Sequence, residues 1–149
     1  MIAKVQVKKL NPKAFLPLYA NPGDAGCDVC ACLDEPLILS PGERVLVPTG
    51  LAFAIQDGFE CQVRSRSGLA LKHGVVVLNS PGTIDSGYRG ELGVVLFNTN
   101  PKYNWDFVIK NGDRIAQLVF APIVKAHFVL SDELPDSHRG SGGFGSTGV

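Results

Sequence analysis

Val75-Val76-Val77-Leu78-Asn79-Ser80-Pro81-Gly82-Thr83-Ile84-Asp85-Ser86-Gly87-Tyr88-Arg89-Gly90-Glu91-Leu92-Gly93-Val94-Val95-Leu96-Phe97 decides the fold. A β-branched apolar run, Val75 to Leu78, stops at Ser80-Pro81-Gly82. A second run, Leu92 to Phe97, begins after a polar stretch around Asp85. Short apolar runs bounded by Gly and Pro are strands between tight turns. The same alternation extends both ways. Upstream, Val5 and Val7 alternate with Lys4, Gln6 and Lys8, the period of a half-buried strand, and Leu37-Ile38-Leu39, Val45-Leu46-Val47 and Leu51 to Ile55 follow. Downstream come Phe107 to Ile109, Ile115 to Phe120 and Phe128 to Leu130. Turn formers separate them, among them Asn21-Pro22-Gly23-Asp24, Ser40-Pro41-Gly42, Gln56-Asp57-Gly58 and Asn111-Gly112-Asp113. The spacing predicts an all-β protein, a β-sandwich or jelly roll. Only Ser67 to His73 predicts a short helix, with Ser67 as its N-cap and Gly74 just past its end.

The whole chain agrees with many turns around one core. It has 149 residues, with 17 Gly and 10 Pro, and is 45% hydrophobic. A chain of this length buries roughly 70% of its unfolded surface, enough for one self-supporting domain. Its 14 basic residues balance its 14 acidic ones, so no global field recruits nucleic acid or an anionic membrane. No apolar run approaches the ~20 residues that span a bilayer, and Met1-Ile2-Ala3-Lys4-Val5 lacks a secretory core. The expectation is a soluble, cytoplasmic protein without a disulfide framework. Cys27-Asp28-Val29-Cys30 matches a metal-type C-x-x-C, but the pair stands alone and has no turn chemistry. Asp28 to Leu33 reads instead as a strand with small buried thiols at Cys30 and Cys32.

Three segments carry possible chemistry. Arg64-Ser65-Arg66-Ser67-Gly68 sets two guanidinium groups and two hydroxyls before the short helix, an arrangement suited either to phosphate or to carboxylate partners. Arg64 and Arg66 share one face if the strand continues that far. Asp85 lies in a turned segment joining two apolar strands, a β-hairpin or loop tip. There it either caps its own turn or deprotonates a water beside a bound phosphate. Gly112-Asp113-Arg114-Ile115-Ala116-Gln117-Leu118 is a turn entering a buried strand, with Arg114 suited to ion pairing and Gln117 to phosphate or backbone. His73, His127 and His138 are scattered and suggest no metal site. Five of the last ten residues are Gly, around a lone Phe144. That tail is either disordered or an arm that orders over a ligand.

Together these segments closely resemble one family, the homotrimeric dUTPases. Five family motifs appear in order: Ala25-Gly26-Cys27-Asp28-Val29, Arg66-Ser67-Gly68-Leu69-Ala70, Asn79 through Gly90, Gly112 through Leu118, and Arg139 through Gly148. Each is modest alone, but five in register from residue 25 to residue 148 are specific. The resemblance implies a jelly-roll body over residues 1–136 and a flexible Gly-rich arm over 137–149. Three such chains would form a homotrimer with shared active sites, each closed by an arm from the third subunit. The implied reaction is dUTP and water to dUMP and pyrophosphate, with Mg2+ on the triphosphate. It limits uracil incorporation into DNA and supplies dUMP for thymidylate synthesis.

The resemblance also implies residue roles. Asp85 matches the residue that activates the attacking water. Asn79 matches the side chain that reads uracil, supported by backbone at Thr83, Ile84 and Gly93. Tyr88 matches the ring under the deoxyribose, where a 2′-hydroxyl would clash. Arg66, Ser67, Gly68 and Gln117 match phosphate contacts. Arg139, Ser146 and Thr147 match γ-phosphate contacts from the arm, and Phe144 matches the ring that covers the base. Asp28 matches a residue near the hydrated Mg2+, reached through water. Ser65 stands where the family often has Pro, which loosens that turn. The cysteines beside Asp28 suggest oxidation sensitivity. The related dCTP deaminases need an acid on the strand after the Asp85 loop, and Gly93 to Asn98 carries none.

Overall fold

The structure is a computed structural model that describes residues 2–101 and 105–146. Its elements run β1 (Val5–Lys9), β2 (Cys27–Cys30), β3 (Leu37–Leu39), β4 (Arg44–Ile55), β5 (Phe59–Arg64), α1 (Ser67–His73), β6 (Val75–Val77), β7 (Gly82–Ile84), β8 (Glu91–Asn98), β9 (Phe107–Ile109) and β10 (Arg114–Pro122). Two four-stranded sheets, ordered β1-β4-β8-β6 and β2-β10-β5-β7, are accompanied by a small β3-β9 ladder. Every pairing is antiparallel. One apolar cluster fills the structure, drawing Val47, Phe53, Val94 and Leu96 from one sheet and Val29, Cys61, Val63 and Leu118 from the other. The predicted all-β sandwich with one short helix is what the chain forms.

Several sequence expectations need correction, each for a physical reason. Val45 to Val47 and Leu51 to Ile55 are one strand, not two. β4 runs through Pro48 and Gly50, and its register against β8 shifts between Pro48 and Ala52. Gly50 takes φ +67°, the left-handed conformation a bulge uses, and a Pro without an N–H is tolerated at such a break. β5 is an additional strand. Its Phe59-Glu60-Cys61-Gln62-Val63-Arg64 alternation buries Cys61 and Val63, a period-2 signal obscured by its charged members. Phe128 to Leu130 is not a strand among the described residues. It lies beyond β10 with its side chains exposed, and no described strand pairs with it. The helix starts at its expected cap, Ser67, one residue earlier than that cap implied. Arg66 holds the N-cap position in an extended conformation, while Gly74 caps the C-terminus at φ +62° as expected.

The Asp85 loop is also not a hairpin. β7 pairs with β5 in one sheet, and β8 pairs with β4 and β6 in the other, so residues 85–90 turn a corner between sheets. The landing of β8 is fixed by the β4 bulge. The buried Thr49 hydroxyl donates to Leu92 O at 2.6 Å, and Gly50 N–H donates to Glu91 Oε1 at 2.8 Å. Among the described residues, no helix is long and apolar enough to cross a membrane.

The core thiols give the fold a pH signature. Burial pushes Cys61 from 9.0 up to about 12. An unfolded chain ionises this thiol near pH 9 while the fold keeps it protonated, so rising pH favours unfolding across that window. One such group costs about 1.4 kcal/mol per pH unit. Denaturant titrations at pH 8, 9, 10 and 11 should therefore show a steeper loss above pH 9 for the parent than for Cys61→Ala. Equal slopes would contradict the assignment.

Candidate active site

The corner between the sheets opens on a cleft of about 430 Å³ lined by Leu46, Pro48, Thr83, Ile84, Asp85, Tyr88, Glu91 and Gly93. Tyr88 N–H donates to Asp85 O at 3.1 Å, closing the turn that presents Asp85. The Asp85 side chain is exposed and has no bonding partner among the described residues, which leaves its carboxylate free to take a proton. The Tyr88 ring folds back over Gly90, where an added Cβ would run into its hydroxyl, and that hydroxyl donates to Glu91 O at 2.9 Å. The ring is thus fixed as one wall. On the facing side, Leu46 lies so close over Gly93 that a Cβ there would stand 2.6 Å from Leu46 Cδ1. Strand backbone at Gly93 and the fixed Tyr88 ring both line this cleft.

A second group of residues assembles around Asp28. Its Oδ1 lies 2.9 Å from Arg66 Nε, its Oδ2 lies 3.1 Å from Arg114 Nη1, and Arg66 Nη1 donates to Arg114 O at 3.0 Å. Asp28 sits in β2, Arg114 begins β10, and Arg66 precedes α1, so one carboxylate aims guanidinium groups brought by three segments. Two positive charges against one negative leave an excess suited to a phosphate oxygen. Arg64 does not join them. Its guanidinium bonds Gln62 Oε1, with Nε at 3.0 Å, because the strand ends at Arg64 and the chain turns away before Arg66. Gln117 donates Nε2 to Ser65 O at 2.9 Å, packed so tightly against Gly26 that any Cβ there would meet its Oε1 at 2.5 Å. Ser65 does not loosen the turn. Its hydroxyl accepts from Val77 N–H at 2.8 Å and its own N–H donates to Ser80 Oγ at 3.4 Å, a bond proline cannot make.

These two groups are separate in one chain. Arg66 and Arg114 line a different cleft, of about 400 Å³, with Leu69, His73, Phe107 and Asp113, while the Asp85 cleft touches neither them nor Ser67, Gly68, Asn79 or Gln117. Asn79 is exposed on the turn before β7, its Nδ2 packed 3.1 Å from where a Gly82 Cβ would stand. Arg139, Phe144 and Ser146 lie in local turns: Arg139 Nε donates to Gly142 O at 2.8 Å, Ser146 N–H donates to Gly143 O at 3.0 Å, and the Phe144 side chain is fully exposed. Thr147 lies outside the described residues. Leu46, Pro48 and Glu91 are cleft residues that sequence reasoning missed. Gly93 inside an apolar strand was the available signal, since a strand glycine marks close approach. β8 also begins at Glu91, so that strand does carry an acid, one already bonded to Gly50 N–H.

The sequence family described as dUTPase matches residues 13–148. The chain belongs to the dUTPase family. It is 52% identical over 144 residues to a deoxyuridine 5′-triphosphate nucleotidohydrolase of Syntrophotalea carbinolica, covering 97% of this chain and 96% of the relative. A Treponema denticola protein of the same name is 55% identical over 141 residues, covering 95% and 96%. Among solved structures, a variant of the Staphylococcus bacteriophage 80alpha dUTPase with dUpNHpp superimposes with a TM-score of 0.89 at 30% identity, covering 98% of this chain and 99% of that one. A variant dUTPase of S. aureus phage phi11, whose structure is described as revealing the coordination of a structural Mg(II) ion, gives 0.77 at 27% identity, covering 87% and 97%.

The thiols of this dUTPase-family chain are built for packing. All four cysteines are free. Cys27, Cys32 and Cys61 are buried, Cys30 is half-buried, and burial is the largest cause pushing each thiol up. The thiolate is the form that attacks peroxide, so thiols raised by burial are expected to resist it. Mild peroxide followed by mass spectrometry should leave Cys27, Cys32 and Cys61 unmodified and turnover intact. Modification at these positions with a parallel loss of rate would support the oxidation-sensitive reading.

Proposed function

We propose that this chain hydrolyses dUTP to dUMP and pyrophosphate, with Asp85 as the general base. Such an activity limits uracil incorporation into DNA and supplies dUMP for thymidylate synthesis. The observation that carries the reading is a free carboxylate on the rim of a slot walled by Tyr88 and strand backbone, in a chain of the dUTPase family. Asp85 takes a proton from water as the water oxygen bonds the α-phosphorus, and the bond from that phosphorus to its bridging oxygen breaks, releasing pyrophosphate. Asn79 and the backbone of Thr83, Ile84 and Gly93 pair with uracil edges, which would be mispaired with cytosine. Tyr88 packs under the deoxyribose. Arg66, held by Asp28, receives phosphate oxygens together with Ser67, Gly68 and Gln117.

Magnesium fits this donor set as a passenger of the substrate. Among the described residues no three His, Cys, Asp or Glu side chains stand together, and both Asp28 oxygens are bonded to guanidinium groups. That suits an ion carried on triphosphate oxygens and waters, with Asp28 reached through water, as magnesium's slow dehydration favours. When bound, the ion would neutralise charge on the phosphates.

The working form in this reading is a cytoplasmic homotrimer with shared sites: the Asp85 slot of one copy meets the Arg66 group of a second. The arm, residues 137–149, comes from a third, bringing Arg139, Ser146 and Thr147 to the γ-phosphate and Phe144 over the base. Two features support it. The half-sites open into different clefts of one chain, and Val124, Phe128, Leu130 and Leu134 stand bare beyond β10, at 86% exposure or more. Several large apolar side chains left bare on one segment suit an interface.

Pyrophosphate release with Mg2+ from dUTP, dCTP, dTTP and UTP at equal concentration should be rapid for dUTP alone. Release from dCTP at a similar rate would overturn the base-reading slot. Asp85→Asn should keep dUTP binding and lower kcat by roughly 10²–10⁴-fold, the worth of one positioned base. Turnover equal to the parent would remove Asp85 from the mechanism. Deletion of residues 139–149 should abolish hydrolysis yet leave the oligomer intact by sedimentation. Monomers would mean that the arm is structural first.

A further inference from the structure

We propose that Arg89 is a positioning residue that holds the catalytic corner in its productive shape, an inference that rests on the dUTP-hydrolysis reading. Its Nη1 donates to Ser86 O at 2.5 Å and to Tyr88 O at 2.8 Å, so a single nitrogen bridges the carbonyls on either side of Gly87. The corner needs such a clamp. Residues 85–90 leave one sheet and enter the other without a ladder of their own, and Gly87 and Gly90 supply no side chain to stiffen them. Its other ties are the Asp85–Tyr88 turn bond and the Tyr88 hydroxyl on Glu91 O. Asp85 has no side-chain partner among the described residues, so the backbone of this corner sets the direction of its carboxylate. Tyr88 depends on the same six residues, which means one guanidinium orients both the base and the sugar wall.

Arg89 itself lines a shallow groove with Lys4, Gln6, Gln56 and Asp57, apart from the cleft that Asp85 and Tyr88 share. It therefore acts through backbone carbonyls and not through substrate. A misplaced base lowers the rate of the chemical step while ground-state contacts made elsewhere persist.

The test compares the parent with Arg89→Ala and Arg89→Lys, measuring kcat and KM for dUTP, affinity for the non-hydrolysed analogue dUpNHpp, and thermal melting. Arg89→Ala should lower kcat by about 10- to 100-fold, since a base displaced by about 1 Å loses that much, while analogue affinity stays within about 3-fold. Millimolar guanidinium should restore part of the alanine variant's rate. Arg89→Lys should keep kcat within about 3-fold of the parent, because an ammonium carries three donors, enough for both carbonyls. A parental kcat in Arg89→Ala would overturn the clamp, as would equal loss of kcat and analogue affinity without guanidinium rescue. Should the alanine variant melt below assay temperature, Arg89→Lys decides, and a kcat as low as that of Asp85→Asn would also overturn the proposal. A parent inactive on dUTP would instead bring down the functional reading itself.

Discussion

The chain leaves one sheet at Ile84 and must enter the other at Glu91, and the proposed catalytic half-site is built on that crossing. Both ends are fixed by pairing: Val63, Gln62 and Cys61 hold Gly82 to Ile84, while the bulge of β4 receives Glu91 and Leu92 through Thr49 and Gly50. Between these anchors the backbone has few solutions, and the one adopted puts Asp85 on the rim and the Tyr88 ring along the wall. A reactive carboxylate on a loop is precise only when rigid strands hold both ends of the loop. Here the strands belong to opposite faces of one core, so the site inherits the rigidity of the sandwich.

The second proposed half-site rests on a different device, a shared counter-ion. Asp28 is short, partly covered and rooted in a strand, whereas Arg66 and Arg114 are long side chains that would otherwise sample many rotamers. Binding both guanidinium groups to one carboxylate removes that freedom before any ligand arrives, which is the sense in which a site is preorganised. Gln117 and Ser65 extend the same logic through neutral bonds, tying β10 to the link ahead of α1. The serine in place of proline is no defect, because Ser65 exchanges a fixed φ for bonds to Val77 and Ser80.

Much of this was legible in the sequence, and the reasons for the rest are specific. Val75 to Leu78 and Leu92 to Phe97 read as strands because apolar β-branched runs between Gly and Pro have few alternatives. Asp85, Tyr88 and Gly93 do line one cleft, as expected of neighbours across one loop. The apparent hairpin misled because loop length and turn residues report that the chain reverses, not which sheet it rejoins. The single strand from Arg44 to Ile55 was hidden by Pro48 and Gly50, punctuation that here marks a bulge. Phe128 to Leu130 has the composition of a strand and no strand partner among the described residues, a property that local pattern cannot display. Arg89 left no signal, since a lone arginine in a turn is ordinary, and only the carbonyls around it give it a role.

The central claim is that two half-sites carried separately by each chain meet between copies. It is tested most directly by complementation: Asp85→Asn and Arg66→Ala chains, each inactive alone, are unfolded together, refolded as mixed oligomers and assayed for pyrophosphate release from dUTP. Shared sites in a closed ring of identical subunits predict recovery of about one quarter of parental activity, because random mixing joins an intact slot to an intact arginine group at that frequency. A mixture as inactive as its components, with mixed oligomers present, would contradict the account and place both half-sites of each active centre within one chain.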